Sequence, residues 1–224
     1  MKRKETENSR GKSYLLKIEG DYHWGKSPYF LFIWVDETAL MEDIDLFLRK
    51  IWLKSCDSLS AFSYPQSTQK IDYSQSALAK TLFSGNAPIE DNPIDKSSRE
   101  IPMDKEVNTV FHKNLNLEYE YDFGNSTRLM LKVTEEYPFK ITEKIILLSR
   151  NEPLKFLCHS CKTKPATQVS PRNELRKEYM FCDECIKKYQ KESGDFEDCL
   201  LPIVNSPRMG VCGYKGGTID TERD

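Results

Sequence analysis

No run of apolar residues in this 224-residue chain approaches the length of a membrane span. Residues 1–12 are charged and polar with no apolar stretch behind them, which argues against an ordinary secretory leader. A chain with neither feature is expected in the cytoplasm, away from membranes and in a reducing medium. Catalytic signatures are absent too: there is no G-x-S-x-G elbow, no Walker loop, no H-E-x-x-H pair and no dinucleotide fingerprint. Charge of one sign is also lacking. Thirty-three Lys and Arg against thirty-five Asp and Glu leave a formal charge of −2, which argues against a strongly basic nucleic-acid binder but leaves room for a local basic patch. There is no internal repeat and no low-complexity run. The three histidines, His23, His112 and His159, are scattered, and a lone His is more often a hydrogen-bonded residue than a catalyst.

Cysteine is what the chain does have, and the count of seven is odd, so a complete internal disulfide framework cannot use them all. Four of them form two pairs, Cys158-x-x-Cys161 and Cys182-x-x-Cys185, with twenty residues between. Each pair can curl into a knuckle whose sulfurs face one point, and two knuckles complete a tetrahedral thiolate cage for Zn²⁺. Four thiolates leave no open coordination position, so the expected site is structural and holds one Zn²⁺. The competing readings are two unrelated reduced pairs or a redox motif; the latter needs a βαβ context that is not visible. His159 falls inside the first knuckle, where side chains turn away from the metal. Cys199 and Cys212 are each either an additional ligand or a buried thiol, and Cys56 reads as packing.

The remaining pattern is that of an α+β chain: a mainly antiparallel sheet with one or two packed helices, plus a small C-terminal zinc-binding module. Tyr14–Ile18 reads as a strand. Tyr29–Val35, apolar and aromatic throughout, suits a central strand covered on both faces. Leu40, Ile44, Phe47, Leu48, Ile51 and Trp52 recur on one helical face, with Asp36 or Thr38 as cap and Glu37, Glu42 and Asp43 suited to the first turns. Ala61–Tyr64 reads as a short strand, residues 76–83 as a short helix and residues 86–103, with three prolines, as a long loop. Leu117–Phe123 alternates as a half-buried strand does, Gly124 and Asn125 supply a turn, and Arg128–Val133 returns as its partner. Lys144–Leu148 is a further strand. The expected organisation is a disordered N-terminus over 1–12, an α+β domain over 13–150, the zinc module over 151–199 and a Gly- and Pro-rich tail over 200–224.

Alternation places Glu118, Glu120 and Asp122 on one strand face. Three aligned carboxylates can bind a hard cation and serve a metal-dependent hydrolase or nuclease. The plainer reading pairs them with Arg128 and Lys132 across the hairpin as a solvated, charge-matched face.

Tyr119-Glu120-Tyr121-Asp122-Phe123-Gly124 resembles the signature of the plasmid pRiA4b ORF-3-like family. The opening strand, the Ile33-Trp34 pair before the helix, and the polar turn Asn125-Ser126-Thr127 agree with that family in order, over roughly residues 12–150. The cysteine module and the tail from Leu201 to Tyr214 resemble a subgroup of it. The resemblance implies the α+β fold, a zinc module and an association with plasmids and mobile elements, but no chemistry. Some relatives carry further Cys or His between the pairs; residues 162–181 have none, which argues for a single metal.

From Leu200 to Gly217 the tail has only Arg208 and Lys215 as charges, too apolar to hang free. It is expected to pack on the body as a tether, or alternatively to offer Asn205, Ser206 and Arg208 to an anion or a partner. Residues 162–191 hold eight Lys or Arg against four Asp or Glu, a modest basic excess set against the −2 of a zinc tetrathiolate. The functional expectation is a zinc-binding, non-enzymatic adaptor that contacts a macromolecule, protein or nucleic acid, with the hydrolase as the alternative.

Overall fold

The alternating pattern of residues 13–20 makes the first strand, β1 (Ser13–Gly20), which buries Tyr14, Leu16 and Ile18 on one face. In this computed structural model the described residues are 10–20, 27–53, 57–65, 99–170, 180–193, 200–211 and 213–223. Cys56, Cys199, Cys212, His23, the expected helix over 76–83, and most of the stretches 1–12 and 86–103 lie outside them.

Seven strands form one antiparallel sheet in the order β4-β3-β5-β6-β1-β2-β7. The others are β2 (Phe30–Asp36), β3 (Ser60–Ser63), β4 (Glu100–Ile101), β5 (Asn116–Tyr121), β6 (Thr127–Tyr137) and β7 (Ile145–Arg150). A smaller sheet, in the order β10-β8-β9, joins β8 (Gln168–Val169), β9 (Met180–Phe181) and β10 (Leu201–Pro202). The helices are α1 (Met41–Leu48), which runs on into a π-helical turn at Arg49–Leu53, and α2 (Asp183–Ser193). The architecture is α+β and mainly antiparallel.

The core lies between one face of the large sheet and α1. Leu16, Ile18, Leu31, Ile33, Val35, Leu117, Leu129, Leu131 and Val133 meet Met41, Ile44, Leu48, Ile51 and Trp52 there. Each such side chain contributes about 1.5–3 kcal/mol by leaving water. β2 differs from expectation. It is next to the β7 edge rather than central, and only Leu31, Ile33 and Val35 are fully buried. Phe30, Phe32 and Trp34 are half-buried on the opposite face, where ring contacts to neighbours such as Tyr137 and Phe139 cover them in place of a second layer.

The start of α1 is also corrected. Leu40 occupies the cap position, and the Leu40 N–H donates to the Asp43 carboxylate at 2.8 Å. Asp36 instead accepts hydrogen bonds from the Thr38 N–H and hydroxyl and from the Ile141 N–H. Although burial opposes its charge, these bonds hold its pKa below the ordinary carboxylate value.

Two polar residues sit on the inner side of α1, Asp45 and Arg49, one turn apart. Asp45 Oδ1 accepts hydrogen bonds from the Tyr119 hydroxyl at 2.6 Å and the Ser60 hydroxyl at 2.7 Å. Arg49 Nε donates to Asp45 Oδ2 at 2.7 Å. This buried network fixes the register of the helix on β3 and β5, because a turn-sized slip leaves a charge unmatched. Tyr119 titrates far above an ordinary tyrosine, chiefly through burial and secondly through the Asp45 charge. Tyr119→Phe is expected to lower unfolding free energy by about 1.5–3 kcal/mol in urea titration, the worth of a hydrogen bond to a charged group; a change within error would mean that the helix is held by apolar packing alone.

Candidate metal centre and the tail socket

β9 delivers Cys182 directly, and the first turn of α2 brings Cys185 to the same side, with the Ile186 N–H bonded to the Cys182 carbonyl. The first knuckle hangs from the same strand. The His159 N–H donates to the Met180 carbonyl at 2.8 Å, and a bridge between Leu157 and Pro165 closes its neck. Lys162, at φ 58°, turns the chain back after Cys161.

The four sulfurs of Cys158, Cys161, Cys182 and Cys185 all lie within 4.8 Å of one another, and Cys161 Sγ is 3.9 Å from Cys182 Sγ. A tetrahedral Zn²⁺ with sulfurs at about 2.3 Å sets them roughly 3.8 Å apart, so the cluster needs only a small inward movement. Cys158, Cys182 and Cys185 are buried and Cys161 is half-buried. Two of the four sulfurs sit in surroundings that favour the thiolate. The Thr163 hydroxyl and the backbone N–H groups of Thr163 and Lys164 hold Cys161 down to about 5. Cys158, despite burial, is lowered by backbone N–H groups including those of Cys161 and Ser160. At Cys182 the Cys185 N–H also favours the thiolate, but burial and the three neighbouring sulfurs push it up to about 11. Like charges cannot accumulate here without a cation. Among the described residues, this is the group of three or more His, Cys, Asp or Glu whose ligand atoms converge, and it can hold a metal ion. His159 is outside it; its Nδ1 accepts the Met180 N–H at 3.3 Å.

The acid row does not form as the sequence pattern suggested. β5 ends at Tyr121, and Asp122 enters the turn at φ 63°, accepting the Asn125 N–H on its carbonyl at 3.0 Å. The turn therefore begins at Asp122, not at Gly124, and Phe123 is exposed rather than on the buried face. Glu120 faces Arg128 and pairs with it at 3.3 Å, while Glu118 faces Met130. Lys132 stands opposite Asn116. Glu118 and Glu120 line an open cavity of about 890 Å³ together with Arg99 and Arg128, but Asp122 does not. The hydrolase reading thus loses its third carboxylate.

Asp122 is engaged by the tail. After β10 the chain buries Val204, Met209 and Tyr214 against Val169 and Met180 of the small sheet. It then meets the large sheet. The Asn205 amide donates to the Asn151 carbonyl and accepts from the Asn151 amide. Ser206 Oγ donates to the Trp52 carbonyl at 2.7 Å and accepts the Arg208 N–H at 2.9 Å. Arg208 is fully buried. Its guanidinium donates to Asp122 Oδ2 at 2.5 Å, to the Asn125 carbonyl at 3.2 Å and to the Thr127 hydroxyl at 3.0 Å. It lies 4.8 Å from the centre of the Tyr121 ring, as does the Arg49 guanidinium.

Asn205, Ser206 and Arg208 are therefore spent on the protein's own body, which is the arrangement a tether needs. Tyr121 and Asp122 of the family-like motif are the receiving side, while Tyr119 is bonded to Asp45. Asp45, Arg49, Ser60 and Asn151 were not singled out from the sequence. A signal existed for two of them: an Asp and an Arg four apart on an otherwise apolar helix face.

No family model matches this chain, and no curated protein matches it. Among solved structures it is similar to a protein of unknown function, MM3350, from Methanosarcina mazei Go1. The two are 15% identical at a TM-score of 0.40, over 63% of this chain and 70% of that one. No helix among the described residues is long and apolar enough to cross a membrane.

Arg208→Ala removes the cation paired with the largely buried Asp122 carboxylate. A loss of about 3–5 kcal/mol is expected in chemical denaturation, with the Asp122→Ala/Arg208→Ala double variant losing clearly less than the two single losses combined. Strict additivity would contradict the pairing.

Proposed function

We propose that this chain is a zinc-stapled, non-enzymatic binding protein of the adaptor kind, and that its resemblance to the plasmid pRiA4b ORF-3-like family reflects a shared fold. The observation that carries the reading is the convergence of four sulfurs from two knuckles on one point. Soft thiolates in a tetrahedral set suit Zn²⁺, and a metal with all positions filled by protein has none left for substrate. Cys158, Cys161, Cys182 and Cys185 would hold the ion. What it supplies when bound is a cross-link between the first knuckle and the β9–α2 junction.

The scale of the module supports a structural role. Its sheet has strands of two residues each, and its apolar cluster is a handful of side chains. Such a unit buries too little surface to stand on its own and draws folding energy from a metal. Around it, Lys162, Lys187 and Lys188 are exposed, while Lys164 pairs with Glu184. Exposed lysines on the first knuckle and on α2 suit contact with a macromolecule, phosphate-bearing or acidic.

The purified chain is expected to carry one Zn²⁺, and Cys158→Ser or Cys185→Ser to lose it, as read by elemental analysis; metal-free protein with an unchanged far-UV spectrum and melting point would remove the staple. If the partner is a nucleic acid, affinity should fall steeply between 50 and 200 mM salt, and an affinity flat in salt would rule out phosphate contacts.

A further inference from the structure

The metal centre and the Arg208 socket occupy opposite ends of one short mechanical path. Cys182 follows β9 without a spacer. Phe181 of β9 pairs with Gln168 of β8, and Val169 of β8 pairs with Leu201 of β10. The Thr167 backbone ties all three strands, its N–H to the Phe181 carbonyl and its carbonyl to the Ile203 N–H. Seven residues beyond Leu201 the chain reaches Arg208. Nothing along the path is stable by itself: three two-residue strands and six buried side chains are far below what an independent sheet needs.

At the far end the tail fits closely. A side-chain carbon on Gly20 of β1 would stand 2.8 Å from Pro207 Cβ, so Pro207 seats where only glycine leaves room. Gly217 is pressed against the π-turn, where a Cβ would meet the Ile51 carbonyl oxygen at 2.5 Å, and the Thr218 N–H donates to the Lys50 carbonyl at 2.6 Å. Docking is therefore a specific fit rather than a loose contact.

We propose that metal binding at the four cysteines and docking of residues 205–208 and 217–218 on the large sheet and its π-turn are energetically coupled, so that the tail is a metal-dependent latch. This rests on the reading that the cysteines hold a metal. With the metal bound, β9 is fixed, β8 and β10 have a template, and Arg208 is delivered to Asp122 and Tyr121. Without it the small sheet has no anchor, and the tail leaves. The Tyr121–Thr127 turn is then opened: a carboxylate, a ring face, a carbonyl and a hydroxyl, a set of groups that recognises a guanidinium. Coupling is reciprocal by necessity: whatever factor the metal contributes to docking, docking contributes to metal affinity.

Reciprocity supplies the test, because Asp122 is not a ligand of the metal. Asp122→Asn keeps a residue that tolerates the left-handed turn and removes only the charge. In the full-length chain, Zn²⁺ affinity measured by competition with a chromophoric chelator should fall about tenfold in this variant and in Arg208→Lys. In wild type, stripping the metal should speed hydrogen exchange at the amides of residues 122–127, 206 and 208–211 and leave those of β1 and β2 protected. Folded variants with unchanged Zn²⁺ affinity, or wild-type exchange at the turn that ignores metal removal, would overturn the latch. A wild-type chain that takes up no Zn²⁺ at all would overturn the metal reading itself, and with it the latch.

Discussion

A buried guanidinium is among the most demanding groups a protein can enclose, and the placement of Arg208 organises much of this molecule. Taking it from water without a counter-charge costs several kcal/mol even after relaxation. Here the charge meets the Asp122 carboxylate, the nitrogens find a carbonyl and a hydroxyl, and the plane lies near the Tyr121 ring. Each provision constrains something else. Asp122 must leave the strand in a left-handed conformation to turn its carboxylate inward. Tyr121 must be held, and Arg49 lies near the same ring while being fixed by Asp45. Asp45 in turn is bonded to Tyr119 and Ser60. One line of contacts thus runs from the tail through the hairpin to the helix.

The sheet and its helix are consequently not self-contained. The π-turn that ends α1 leaves carbonyls pointing outward, and the tail satisfies two of them, Lys50 through the Thr218 N–H and Trp52 through Ser206. Arg150, at the end of β7, has its charge matched by Asp220, seventy residues later. A boundary drawn at residue 150 follows the composition of the chain, whereas the hydrogen bonds cross it repeatedly. The cysteine cluster lies between those two sets of residues in sequence and sets how the later one returns to the earlier.

What was legible in the sequence was what depends on local pattern. An apolar run marked β1, alternation marked β5 and its returning partner β6, the apolar stripe marked α1, and the two Cys-x-x-Cys spacings marked the cysteine cluster. The errors arise where tertiary contacts override pattern. Alternation carried Asp122 and Phe123 onto the strand because their residue types continue it; only Arg208, eighty-six residues on, draws Asp122 out. The aromatic run at Tyr29–Val35 suggested burial on both faces, since Phe and Trp that shield one another read the same as residues under a second layer. Asp36 and Thr38 looked like caps by position, yet Asp43 reaches back to do that work. The network around Asp45 and the closeness of Gly217 to the π-turn are set by three-dimensional approach and leave little trace in spacing.

The central claim is that the cysteine site and the sheet body are energetically coupled through the tail. Cobalt substituted at the four cysteines gives a thiolate absorption band that reports on the metal site, while tryptophan fluorescence reports on the body through Trp34 and Trp52. Urea titration of the cobalt-loaded full-length chain, followed by both signals, tests the claim most directly. The account predicts that bound cobalt moves the tryptophan transition to higher urea than in metal-free protein. Loss of the cobalt band at low urea, with the tryptophan transition unmoved from that of metal-free protein, would contradict it.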